Sequence, residues 1–118
     1  MATEQLDSGI PLVSVSGEVD LATAPALERT LLDAAEDQTG EVIVDLTWCS
    51  FLDSRGLTAL LAARERLGHS DQSLGLVVSN PHVMKIFQIT GFDQLFEIYP
   101  SLAAAVNNQT PGSLVATP

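Results

Sequence analysis

Few side chains in this chain are equipped for chemistry, and most of them stand apart. Cys49 is the only cysteine, Lys85 the only lysine, and His69 and His82 the only histidines in 118 residues. Asp45 and Asp53 flank the end of an apolar run and could share a cleft as a general acid and base. Asp53, however, directly precedes a helical pattern, where an acidic residue commonly serves as a cap. Cys49 sits among apolar neighbours, which favours a buried, inert thiol over a nucleophile. His69 and His82 fall on different elements and Cys49 has no cysteine at ligand spacing, so no metal is expected. No G-x-G-x-x-G follows a strand, and Lys85 lies inside a helical stretch rather than a phosphate loop, so no nucleotide or other cofactor is expected. What remains is a hydroxyl. In Asp53-Ser54-Arg55-Gly56-Leu57, Ser54 stands where a helix begins, and unpaired N–H groups with the positive dipole end favour an anion there. Gly56, lacking a side chain, would let another surface approach the first turn closely. On the shape of the sequence alone, Ser54 as a plain N-cap and Asp53 as a turn residue is the favoured reading.

The elements that must position this segment alternate regularly. In residues 10–19, Val13, Val15, Gly17 and Val19 fall on one side and Ser14, Ser16 and Glu18 on the other, which describes a strand with one covered and one wet face. A short strand over 3–6 precedes it, joined by Asp7-Ser8-Gly9. A helix follows, with Thr23 as cap, Pro25 in the first turn and Leu27, Leu31 and Ala34 on one face. The second long strand covers 41–46, after which a short apolar link leads to a helix over 54–67. A strand over 73–78, a helix opened by Asn80-Pro81 and closed by Gly91, a strand over 95–99 and a helix from Ser101 to Val106 complete the order. Strands alternating with helices imply parallel neighbours and right-handed crossovers. The expected fold is α/β: a mixed, largely parallel sheet of four to five strands with helices mainly on one face. Residues 1–108 form one domain, and 109–118, rich in Asn, Gln, Thr, Pro and Gly, a flexible tail.

Composition narrows the partners. Hydrophobic residues make up 46% of the chain, enough for a core, and the formal charge is −10. The five basic residues, Arg29, Arg55, Arg64, Arg66 and Lys85, do not cluster as phosphate contacts require, so nucleic acid and anionic membranes are poor partners. Glu4 and Asp7 interrupt the N-terminus, no basic n-region precedes them, and no apolar run reaches membrane-span length. A cytoplasmic protein, monomeric when free, is expected.

The chain resembles STAS domains, specifically bacterial anti-sigma factor antagonists. Their hallmark Asp-Ser-x-Gly-Leu is matched by Asp53-Ser54-Arg55-Gly56-Leu57, and the likeness extends to Ser16-Gly17-Glu18-Val19-Asp20-Leu21, Val44-Asp45-Leu46, Phe51-Leu52, Ile86-Phe87-Gln88-Ile89-Thr90-Gly91-Phe92 and Leu95-Phe96. It covers roughly 10–106 in order and spacing. The resemblance implies a non-enzymatic switch. The unmodified domain binds an anti-sigma factor that is also a kinase, which releases the sigma factor. That kinase phosphorylates Ser54 and so switches binding off, and a phosphatase reverses the step. Asp53 would support Ser54, and Gly17, Glu18, Asp20 and the first turn of the second helix, with Arg55 and Gly56, would line the contact surface. Arg55 stands where a small hydroxyl residue is common in the family; its charge would pair with the phosphate or select a particular kinase. Trp48 fills a variable position near the site, as an interface anchor or as a core residue beneath the sheet. Two other readings stand beside this one: a STAS subunit of a lipid-transport or stress-signalling scaffold that binds constitutively, and a small hydrolase using Asp45, Asp53 or Cys49.

Overall fold

The computed structural model describes residues 1–109; the tail expected over 109–118 otherwise lies outside the described residues. Ten elements follow in order: β1 (Ala2–Gln5), β2 (Pro11–Val19), α1 (Ala24–Ala35), β3 (Glu41–Leu52), α2 (Ser54–Gly68), β4 (Ser73–Val77), α3 (Pro81–Thr90), a 3-10 turn (Phe92–Gln94), β5 (Glu97–Tyr99) and α4 (Leu102–Gln109). One sheet contains all five strands in the order β1-β2-β3-β4-β5. β1 pairs antiparallel to β2, and every other neighbour is parallel.

This order decides where the helices go. Each crossover from β2 onward steps one strand in the same direction, and right-handed crossovers that never reverse direction all pass over the same face. Val13, Val15, Val42, Val44, Leu74 and Leu76 of the sheet accordingly pack with Leu27 and Leu31 of α1, Leu57 and Leu60 of α2, and Val83 and Phe87 of α3 in one core. Each fully buried leucine contributes about 1.5–3 kcal/mol relative to exposure. Ala35 rather than Ala34 completes the buried face of α1. α4 follows the last strand, is free of the crossover rule, and folds onto the opposite face, where Ala105 joins Leu12, Ile43, Val77 and Tyr99 in a second cluster. On that side the buried Glu41 carboxylate accepts a hydrogen bond from the Tyr99 hydroxyl at 3.3 Å. The wet face expected of β2 is thus dry at Leu12 and wet only from Ser16 to Glu18.

β3 departs most from expectation, because the presumed link after Leu46 is strand as far as Leu52. Two register shifts against β2 explain it. Ser14 pairs with Asp45 but Ser16 with Trp48, and Gly17 pairs with Cys49 but Glu18 with Phe51, so β3 carries one extra residue at each point, as a bulge does. Each bulge reverses which side chains face the helices. The inward positions run Val42, Val44, Leu46, Cys49 and Leu52, and their spacing changes from two to three. The first bulge is held by Asp45, whose carboxylate accepts from the Thr47 N–H at 2.9 Å and from the Thr47 hydroxyl.

Leu52 also explains Gly56. The glycine is buried on the inner side of α2, and a methyl group placed there would collide with Leu52 Cδ1 and stand 2.9 Å from Val19 Cγ1. The close approach this glycine permits is therefore internal, against its own sheet, and not toward a partner as its composition had suggested. Gly56→Ala should lower the urea midpoint at unchanged slope, with overpacking of about 1–3 kcal/mol outweighing a helix-propensity gain of about 1 kcal/mol. An unchanged or higher midpoint would show that Leu52 can swing aside.

Candidate functional site

Two turns leave the sheet side by side at the carboxyl ends of β2 and β3. Val19 pairs with Leu52, and the next amide, Asp53 N–H, donates to the Val19 carbonyl at 3.2 Å. Both turns are closed by the same device. The Asp20 carboxylate accepts from the N–H groups of Ala22 at 3.0 Å and Thr23 at 3.2 Å, and the Asp53 carboxylate from those of Arg55 at 2.9 Å and Gly56 at 3.1 Å. Each is an aspartate bonding the amides two and three residues on, the arrangement in which Asp is favoured at turns and helix starts. Thr23, expected to cap α1, makes no capping bond of its own; its hydroxyl instead accepts from the Asp20 N–H at 2.9 Å.

Asp53 is therefore the N-cap of α2, and Ser54 is the first helical residue. The Ser54 side chain is exposed, and among the described residues its hydroxyl makes no hydrogen bond. Its carbonyl accepts from the Thr58 hydroxyl at 2.8 Å, one turn on. The anion-binding potential of the helix start is partly spent already, because Asp53 holds two of the free amides. Arg55 is exposed beside Ser54, and the one ion pair among the described residues, Arg66 with Glu28 at 3.9 Å, does not involve it.

The other expected residues divide. Gly17, with φ of +80°, and Glu18 are exposed at the end of β2, next to the Ser54 turn. Asp20 is half-buried and engaged in its own turn, so it shapes this surface from within. Gly56 is buried. Trp48 is 74% exposed, which excludes the core alternative. It lies on the sheet face away from α1–α3, sharing a groove with Met1, Ala2, Ser14 and Ser16, none of them part of the Ser54 turn. Two residues without an assigned role join the site: Leu21, 63% exposed, and Phe51, 45% exposed. Leu21 directly follows the Asp20 turn, and Phe51 pairs with Glu18 on the neighbouring strand. Only the bulged register brings Phe51 there, whereas Leu21 was legible as an apolar residue inside a turn.

Catalytic readings find no support in the geometry. Asp45 is committed to its bulge and Asp53 to its cap. Cys49 is 1% exposed, and burial pushes its thiol up, against a smaller lowering by a backbone hydrogen bond at Phe51, so the thiolate a nucleophile requires is disfavoured. Among the described residues no group of three or more His, Cys, Asp or Glu side chains could hold a metal ion, and no helix is long and apolar enough to cross a membrane. A cavity of about 620 Å³ is lined by Arg64, His69, Gln94 and Glu97 among others. It lies at the far end of α2, about 20 Å along the helix from Ser54.

The STAS domain family model matches residues 2–105. The chain is 30% identical over 107 residues to the anti-sigma-F factor antagonist RsfB of Mycobacterium tuberculosis, covering 91% of this chain and 87% of that protein. It is 31% identical over 86 residues to the anti-sigma-B factor antagonist of Staphylococcus aureus, covering 73% and 80%. The crystal structure of an anti-sigma factor antagonist from Mycobacterium paratuberculosis superposes with a TM-score of 0.82 at 37% identity, over 91% of this chain and 90% of that one. By its sequence, its sheet order and the Asp-capped serine at the head of α2, this chain belongs to the STAS domain family.

Proposed function

We propose that this chain is an anti-sigma factor antagonist that works as a phosphorylation-controlled binding switch and catalyses nothing itself. Unmodified, it presents the ends of β2 and β3 to an anti-sigma factor kinase in the cytoplasm, and the kinase releases its sigma factor. The kinase then transfers phosphate to Ser54, which ends the association, and a phosphatase restores it. The observation that carries this reading is the state of the Ser54 hydroxyl: exposed, without a hydrogen bond among the described residues, and held on a rigid helix start whose cap belongs to Asp53. Glu18, Leu21 and Phe51, exposed where β2 and β3 run out toward the Ser54 turn, supply polar and apolar contact area of the kind an interface needs.

The switch is electrostatic. A phosphoserine adds about −1.5 to −2 charges at neutral pH. In the free domain that charge stays in water and Arg55 is at hand to neutralise it, so the fold need not change. Beneath a partner the phosphate would be stripped of water beside the Asp53 carboxylate, at a cost on the order of several kcal/mol. Since each 1.4 kcal/mol is tenfold, affinity should fall by roughly a hundredfold or more. Trp48, also exposed, lies on the sheet face that Glu18 and Phe51 share, paired with Ser16 two residues before Glu18, and is proposed as a second, peripheral contact.

The decisive test incubates the domain with candidate anti-sigma factor kinases and ATP, locates the phosphate by mass spectrometry, and measures binding of both forms. Ser54→Ala should bind and resist modification, Ser54→Asp should bind poorly, and the circular dichroism of the free domain should be the same throughout. Equal binding of phosphorylated and unmodified protein would sink the switch and favour a constitutive scaffold subunit instead. Trp48→Ala should keep the urea midpoint within about 0.5 kcal/mol of stability, as befits an exposed residue, and should weaken the complex by about 1–2 kcal/mol. Unaltered affinity would remove Trp48 from the interface.

A further inference from the structure

Between the start of α1 and the first turns of α2 runs a groove of about 210 Å³ whose walls include Leu21, Ala24, Pro25, Glu28, Arg55 and Ala59. One of its walls, Arg55, directly follows Ser54 in the first turn of α2. Its size suits one side chain and falls short of a nucleotide or other cofactor. Arg55 is exposed and, like the other basic residues except Arg66, has no carboxylate within 4 Å among the described residues. Glu28, the acid on the same groove, is the one drawn toward Arg66 at 3.9 Å. A guanidinium left open above apolar walls matches a planar anion carried on a short apolar stem.

Resting on the switch proposed above, we infer that this groove receives an aspartate or glutamate side chain of the kinase, and that Arg55 is the residue that reads whether Ser54 is modified. When Ser54 is bare, the guanidinium is free to take the partner's carboxylate in a bidentate pair. When Ser54 carries phosphate, the stronger and nearer anion captures the same guanidinium, and the incoming carboxylate meets an occupied arginine and a doubly charged neighbour. Arg55 thus adds a competitive term to simple steric and desolvation loss, and it makes the partner's acidic residue a specificity determinant. A partner that offers lysine or an uncharged residue at that point would be rejected.

The test uses the kinase shown to modify Ser54, the unmodified domain, and a domain carrying phosphoserine at 54 introduced during translation, so that no variant depends on kinase efficiency. Arg55→Gln should weaken binding of the unmodified domain about tenfold or more, as for close interfacial charge pairs, while changing the already weak phosphorylated complex little. The ratio between the two forms therefore contracts. Arg55→Lys should recover part of the loss, as a point charge without the bidentate fork. In the free phosphorylated domain, phosphorus NMR should show the second phosphate pKa rising when Arg55 becomes Gln, since a cation that favoured the dianion is gone. Wild-type affinity and ratio in Arg55→Gln, or an unmoved phosphate pKa, would overturn the role of Arg55 while leaving the Ser54 switch standing. Loss of the switch in the wild-type chain would instead show as equal binding of its two forms, and would remove both.

Discussion

The hydrogen bond from the Asp53 N–H to the Val19 carbonyl is the point on which the rest of this molecule turns. It is the bond just past the last paired residues of β2 and β3, and it clamps together two chain segments that are about to diverge into α1 and α2. To reach it, β3 must run 12 residues against nine of β2. Two of the three surplus residues are absorbed in bulges, the kind of feature that bends a strand and re-aims its side chains. Without those bulges Trp48 and not Cys49 would face the helices, Phe51 would not pair with Glu18, and the start of α2 would not sit beside the Asp20 turn. Gly56 completes the joint from the helix side, allowing α2 to settle against Leu52 and Val19.

The acidity of the chain takes on a different meaning at this joint. Asp20, Asp45 and Asp53 each look like candidates for chemistry, and each is occupied with backbone amides two residues on, and for Asp20 and Asp53 three residues on as well. Carboxylates used this way satisfy exposed and half-buried turn and helix-start donors that have no partner in the ladder or the helix. They also leave the hydroxyl of Ser54 and the guanidinium of Arg55 as the uncommitted polar groups of the α2 turn. A surface built so is suited to respond to one added charge, because its scaffold is already locked by neutralised dipoles and only its outermost groups are free to re-pair.

The strictly sequential strand order has a functional consequence of its own. Open α/β sheets bind small ligands in the crevice where strand order reverses, and this sheet never reverses among the described residues. At the carboxyl ends of β2 and β3 it has instead a pair of turns with exposed Leu21 and Phe51.

The succession of strands and helices, the membership of the family and the position of Ser54 at a helix start were legible in the sequence. Each depends on local periodicity, on turn residues, or on a motif contained in a few adjacent positions. Val13-x-Val15 and Val42-x-Val44 keep the period of a strand, Asn80-Pro81 and Gly91 bracket a helix as their backbone preferences require, and Asp53-Ser54 announces another. Beyond these, tertiary pairing decided. Leu46, Cys49 and Leu52 are three residues apart, a spacing foreign to a regular strand, so the second half of β3 was invisible until its register with β2 imposed two bulges. Whether Asp53 or Ser54 was the cap depended on which amides the carboxylate could reach. Whether Trp48 was core or surface depended on the phase of the strand after the first bulge, and whether Gly56 faced a partner or the sheet depended on Leu52. For Trp48 and Cys49 a single insertion in the ladder reverses the side, and the ladder is fixed by a partner strand about thirty residues earlier in the chain.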